Sequence, residues 1–70
     1  MMMMGTTTQR QRNKLLKRLR KAIYAYDANI TQENANVIAQ LTDYCAEKCG
    51  KKAVNKTVDI ALHVLRQRRN

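Results

Sequence analysis

Proline, tryptophan and phenylalanine are absent from these 70 residues, and glycine occurs only at Gly5 and Gly50. Two isolated glycines cannot build the Gly-rich loop that cradles a nucleotide phosphate. With no proline and no Gly-rich stretch, nothing marks a linker or divides the chain. Aromatic side chains are confined to Tyr24, Tyr26 and Tyr44. A monomer so poor in large side chains buries little, at about 25 cal/mol per Å² of apolar area. Domains of this size compensate with disulfides, metals or self-association. No run approaches the roughly 18 apolar residues that a membrane span needs. The opening Met1 to Thr8 is too short and uncharged for a signal peptide, and Gly5 is not where N-myristoylation requires it. Residues 1–8 therefore read as a disordered tail, residues 9–70 as a single domain, and the expected location is cytoplasmic or nucleoid-associated, or nuclear in a eukaryote.

Acid is scarce as well. Fourteen Lys and Arg stand against five Asp and Glu, a net charge of +9, and no acidic residue precedes Asp27. Arg10, Arg12, Lys14, Lys17, Arg18, Arg20 and Lys21 crowd one short segment, Lys48, Lys51, Lys52 and Lys56 lie in the middle, and Arg66, Arg68 and Arg69 close the chain. Like charges at this density oppose compaction, and a polyanion relieves them. Nucleic acid is the expected partner; a merely solvated basic face is the bland alternative.

Apolar residues at Leu15, Leu16, Leu19, Ala22, Ile23 and Tyr26 repeat with helical period from about Gln9. From Ala22 onward the pattern leaves helix and strand open, because Ile and Tyr also favour sheets. Thr31 is a good N-cap for a second helix to about Cys49, with Glu33 in its first turn. Its apolar stripe is Ala35, Ile38, Leu41, Cys45 and Cys49. Gly50 then suits a left-handed C-cap, and Lys48, Lys51 and Lys52 complement the helix dipole. Asn55 is positioned to cap a third helix to about Gln67, with Val58, Ala61, Leu62 and Leu65 on one face and Ile60 and Val64 beside it. An apolar arc that broad predicts burial on two sides, the second against another subunit.

Cys45 and Cys49 stand four apart on one helix. Zinc sites need four ligands and only His63 is left to join them, while a bridge along a continuous helix has poor geometry. The pair reads as two small structural thiols in a reducing compartment. His63 has no nucleophile or carboxylate in a catalytic arrangement and reads as a surface or phosphate-facing residue. Nothing supports an enzyme, a cofactor, a metal or a small-molecule substrate. The tyrosines could stack on bases, though covering the core edge is the commoner role.

The segment Gly50 to Leu65, GKKAVNKTVDIALHVL, resembles the turn and second helix of ribbon-helix-helix DNA-binding proteins, the Arc and Met repressor class. In that family a Gly ends the first helix and an Ala-Leu pair packs in the dimer core; Val54, Val58, Ala61, Leu62 and Leu65 match that spacing. The resemblance implies an intertwined dimer whose paired strands enter the DNA major groove, with the strand near Ala22 to Ala28. It also implies a phosphate at the second helix's N-terminus, beside Asn55 and Lys56. The order helix, Ala28 to Thr31, helix, Lys51 to Val54, helix is similar in addition to the histone fold, whose loops of this kind bind DNA phosphate.

The expected protein is thus mainly α, a small three-helix or strand-helix-helix domain forming an intertwined homodimer on double-stranded DNA. Its setting would be transcriptional regulation or a plasmid or viral accessory role. DNA contacts are assigned to Arg10, Arg12, Lys14, Lys17, Arg18, Arg20, Lys21, Lys51, Lys52, Asn55 and Lys56, and the dimer core to Ile38, Leu41, Val58, Ala61, Leu62 and Leu65. An RNA-binding protein, a histone-like compacting protein and an interaction module such as an antitoxin are the alternatives.

Overall fold

Three helices of similar length fill the computed structural model, which describes residues 8–69: α1 (Gln9–Ala28), α2 (Gln32–Cys49) and α3 (Lys51–Arg69). Thr8 belongs to the fold and not to a tail; the rest of the expected tail, residues 1–7, lies outside the described residues. Thr8 and Gln11 form a reciprocal capping box. The Gln11 amide donates to Thr8 Oγ1 at 3.2 Å, and the Thr8 amide donates to Gln11 Oε1 at 3.0 Å. Two otherwise orphaned N–H groups at the start of α1 are thereby satisfied.

The strand expected near Ala22 to Ala28 is helix, and no strand occurs among the described residues. Leu19, Ala22 and Ile23 are buried and Tyr26 is half-buried, spaced as one helical face. The weaker helix propensity of Ile and Tyr costs about 0.5 kcal/mol per residue, less than the roughly 1.5–3 kcal/mol gained by burying a large side chain. Burial on a helical period therefore overrides local preference. A base-reading ribbon of the kind implied by the ribbon-helix-helix resemblance has no counterpart in this segment.

α1 stops where Asn29 turns extended, its N–H still bonded to Ala25 O at 2.9 Å. The Asn34 side-chain amide, one turn into α2, donates to Asn29 O at 2.8 Å and to Ala25 O at 3.5 Å. Its backbone N–H is taken by Thr31 Oγ1 at 3.1 Å, so the expected Thr31 cap is present and one asparagine closes the α1–α2 corner. α2 and α3 are joined by Gly50 alone, whose N–H bonds Ala46 O at 3.0 Å and whose carbonyl accepts from Val54 N at 3.2 Å. Gly50 has φ 91° and ψ 153°. The φ is positive as expected of a C-cap glycine, but the ψ places it outside the left-handed helical region, in conformational space open essentially to glycine alone.

α3 therefore begins at Lys51, and Asn55 does not cap it. Asn55 and Lys56 are exposed in its second turn. The core cluster comprises Leu19, Ile23, Cys45, Val54, Ala61 and Leu65, with Leu15, Leu16, Tyr24, Ile38, Leu41, Ala46 and Val58 packed against it. Most of the expected dimer core is thus the core of one chain: Ala61 and Leu65 are buried in it, and Ile38, Leu41 and Val58 flank it. Leu62 is the exception, pointing outward at 40% exposure.

Candidate nucleic-acid interface

The helices run up, down and up. Cys45 Sγ donates to Leu15 O at 3.5 Å and Cys49 Sγ to Arg12 O at 3.9 Å, so the end of α2 lies beside the start of α1. The single-residue turn at Gly50 then sends α3 back parallel to α1. At the far end the Arg68 guanidinium lies over the Tyr24 ring, 5.0 Å from its centroid.

This topology sorts charge by helix. α1 carries seven Lys and Arg with Asp27 alone against them, and α3 six with Asp59 alone. α2 reverses the balance, with Glu33, Asp43 and Glu47 against Lys48. Neither α1 nor α3 has an acidic residue in its first turn. Because the two helices are parallel, Arg10 and Arg12 of one and Lys51 and Lys52 of the other gather at the same end of the molecule. Two helix N-termini, each the positive end of a backbone dipole, gather there as well. Cations at that position are unfavourable in sign, and an anion would satisfy both the dipoles and the side chains.

The seven basic residues of α1 do not act as one surface. Arg10, Lys14, Lys17 and Lys21 follow a four-three-four spacing that forms an outward stripe opposite buried Leu19. Lys17 and half-buried Arg20 turn toward α3, lining with Asn13, Leu16, Thr57 and Ile60 a groove of about 310 Å³. Arg18 and Lys21 instead border a groove of about 700 Å³ between α1 and α2, whose floor includes Ala22, Val37, Leu41 and Tyr44. Arg12 is exposed in the first turn of α1, and its backbone carbonyl accepts from Cys49 Sγ. Along α3, Lys52, Lys56, His63 and Arg66 are exposed on the outward side, and Asp59, Ile60, Leu62, His63 and Arg66 frame a shallow depression.

Asn13 and Thr57 had no expected role in the sequence, and Ile60 only that of widening the apolar arc of α3, because their place in a groove depends on α1 and α3 being parallel. The signal was there in Gly50, which leaves too short a link for any arrangement but a tight reversal. Tyr24 is half-buried against the core edge, whereas Tyr44 is exposed with the Lys48 ammonium 5.8 Å from its ring centroid.

Both cysteines are free, and their thiols point at α1 carbonyls. Burial pushes the Cys45 thiol above the ordinary value, and neighbouring Cys49 adds to the shift. A thiol held protonated is a poor metal ligand and a poor nucleophile. No cluster of three or more His, Cys, Asp or Glu suited to a metal occurs among the described residues, and no helix there is long and apolar enough to cross a membrane. No family model, curated protein or solved structure matches the chain.

Proposed function

We propose that this protein binds duplex DNA along its phosphate backbone, with α1 and α3 as the contacting pair. One observation carries the reading: the parallel arrangement of α1 and α3 converges two cationic first turns and two positive dipole ends, while acid is concentrated on α2. Arg10, Lys51 and Lys52 supply the pole. Lys17 and Arg20 extend it along the α1–α3 groove, where exposed Asn13 adds a neutral donor, and Lys56 continues it on the outward side of α3. Such contacts position a protein on DNA and carry no sequence information of their own. With helix faces in place of a ribbon, binding is governed by backbone charge and groove shape. Lys14 borders this surface from the outward stripe, Asn55 joins it as a side chain without a capping role, and Arg18 and Lys21 face the α1–α2 groove instead.

The test is a titration of the protein with duplex DNA, single-stranded RNA and polyglutamate across a range of salt. About six phosphate contacts give a slope of roughly −5 to −6 in log affinity against log salt. Duplex DNA binding with that slope supports the reading. Tighter binding to RNA would transfer the interface to that polymer, and equal binding to polyglutamate would make an acidic protein the better partner.

A further inference from the structure

We propose that the groove between α1 and α2 is a homodimerisation face, in which a second copy lays its own α2 antiparallel on the first. This stands independently of the DNA reading, because the seam lies on α2, which supplies no DNA contact. The face of α2 that borders the groove exposes Val37 at 42% and Tyr44 at 48%, with Leu41 between them at its floor. Apolar residues at this spacing make a seam for another helix.

Self-complementarity identifies the occupant. A two-fold axis passing between Gln40 and Leu41 pairs positions equidistant from that midpoint. Val37 then meets the partner's Tyr44, and Tyr44 meets the partner's Val37. One turn further out, Glu33 meets the partner's Lys48, and Lys48 the partner's Glu33. Lys48 already lies over the Tyr44 ring, at the edge of the seam. An isologous interface needs such a patch, matched to its own rotated copy.

Sedimentation equilibrium without nucleic acid, over roughly 1–100 μM, reads this directly. The wild type should dimerise, and Val37→Glu with Tyr44→Glu should leave a helical monomer, since both side chains are exposed and folding does not need them. Glu33→Lys alone and Lys48→Glu alone should each weaken the dimer about tenfold by setting like charges opposite one another. The double variant should recover it, and a mixture of the two single variants should form heterodimers in preference to either homodimer. A monomer at every concentration would overturn the proposal, as would a dimer indifferent to both charge reversals. Circular dichroism of each variant confirms that its helices are intact.

Discussion

The Arg68 guanidinium covers the Tyr24 ring at 5.0 Å and joins the C-terminal ends of the two parallel basic helices. One of the strongly charged side chains of α3 is therefore engaged with an aromatic face at the core edge, where Tyr24 also packs on the buried cluster. Tyr24→Ala should destabilise the fold by about 2 kcal/mol, mostly through lost packing, whereas Arg68→Ala should cost only about 0.5–1 kcal/mol. Tyr24→Phe keeps the ring and should be close to neutral. Urea unfolding of the three variants measures the order; an Arg68→Ala loss as large as that of Tyr24→Ala would show that the contact is more than a stacked lid.

Basic residues on the two sides of α1 should differ in their effect on DNA. Lys17→Ala, Arg20→Ala and Lys56→Ala together remove three cations from the α1–α3 side and should flatten the salt slope by about 2.7, at roughly 0.9 per phosphate contact. Arg18→Ala with Lys21→Ala alters the α1–α2 groove and should change the slope by less than one contact's worth. Both sets should act alike on unrelated duplex sequences. Equal losses from both sets would mean that the polymer wraps α1 without choosing a side.

Much of this architecture was legible in the residues. Thr31, Glu33 and Gly50 marked the ends of α2 because caps act locally, and the i, i+3, i+4 spacing of Leu19, Ala22 and Ile23 marked the face of α1. Two things were not legible. The stretch Ala22 to Tyr26 satisfies helical and strand preferences alike, and only its packing against α2 and α3 decides between them. The start of α3 was misplaced because Asn55 is a good cap in isolation, while a single glycine had already completed the turn. For the candidate interface, sequence supplied the cations and not their partition. Whether Arg18 or Arg20 faces α3 depends on a rotation about α1 that the packing of Leu19 and Ile23 fixes.

Gly50 should be intolerant of replacement. An added Cβ would meet no heavy atom within 4 Å, so the constraint is the backbone alone. At φ 91° and ψ 153° a side chain costs about 1–3 kcal/mol. Asn, which substitutes for Gly at ordinary left-handed caps, should do no better than Ala here, because this ψ lies outside that region. Thermal unfolding of Gly50→Ala and Gly50→Asn compares them; an Asn variant as stable as the wild type would mean that the turn relaxes into the left-handed form.

Leu62 and Ala61 are adjacent and should respond in opposite ways to the same change. Ala61 is fully buried between the helices, and Ala61→Asp would force a carboxylate into the core and should abolish folding. Leu62 is 40% exposed, so Leu62→Asp should cost no more than about 1 kcal/mol. Circular dichroism distinguishes the pair. Loss of helix in Leu62→Asp would return α3 to the role of dimer core.

The two cysteines should separate by reactivity and by pH. Cys49 is half-buried near the α1–α2 end, whereas Cys45 is fully enclosed, so a thiol-specific disulfide reagent should modify Cys49 first and Cys45 only as the fold opens. Burial, with a smaller contribution from Cys49, raises the Cys45 pKa above the ordinary 9.0. The folded chain then holds that proton more tightly than the unfolded chain does. Its contribution is fully present below the unfolded value and is lost as pH rises from there through the folded one, at up to about 1.4 kcal/mol per pH unit. The measurement is a difference: urea unfolding of wild type and Cys45→Ala at about pH 8 and about pH 10. The variant should be less stable at the lower pH, because it loses the packed sulfur, and the gap should narrow at the higher. A gap independent of pH would show that the Cys45 thiol ionises as freely in the fold as outside it.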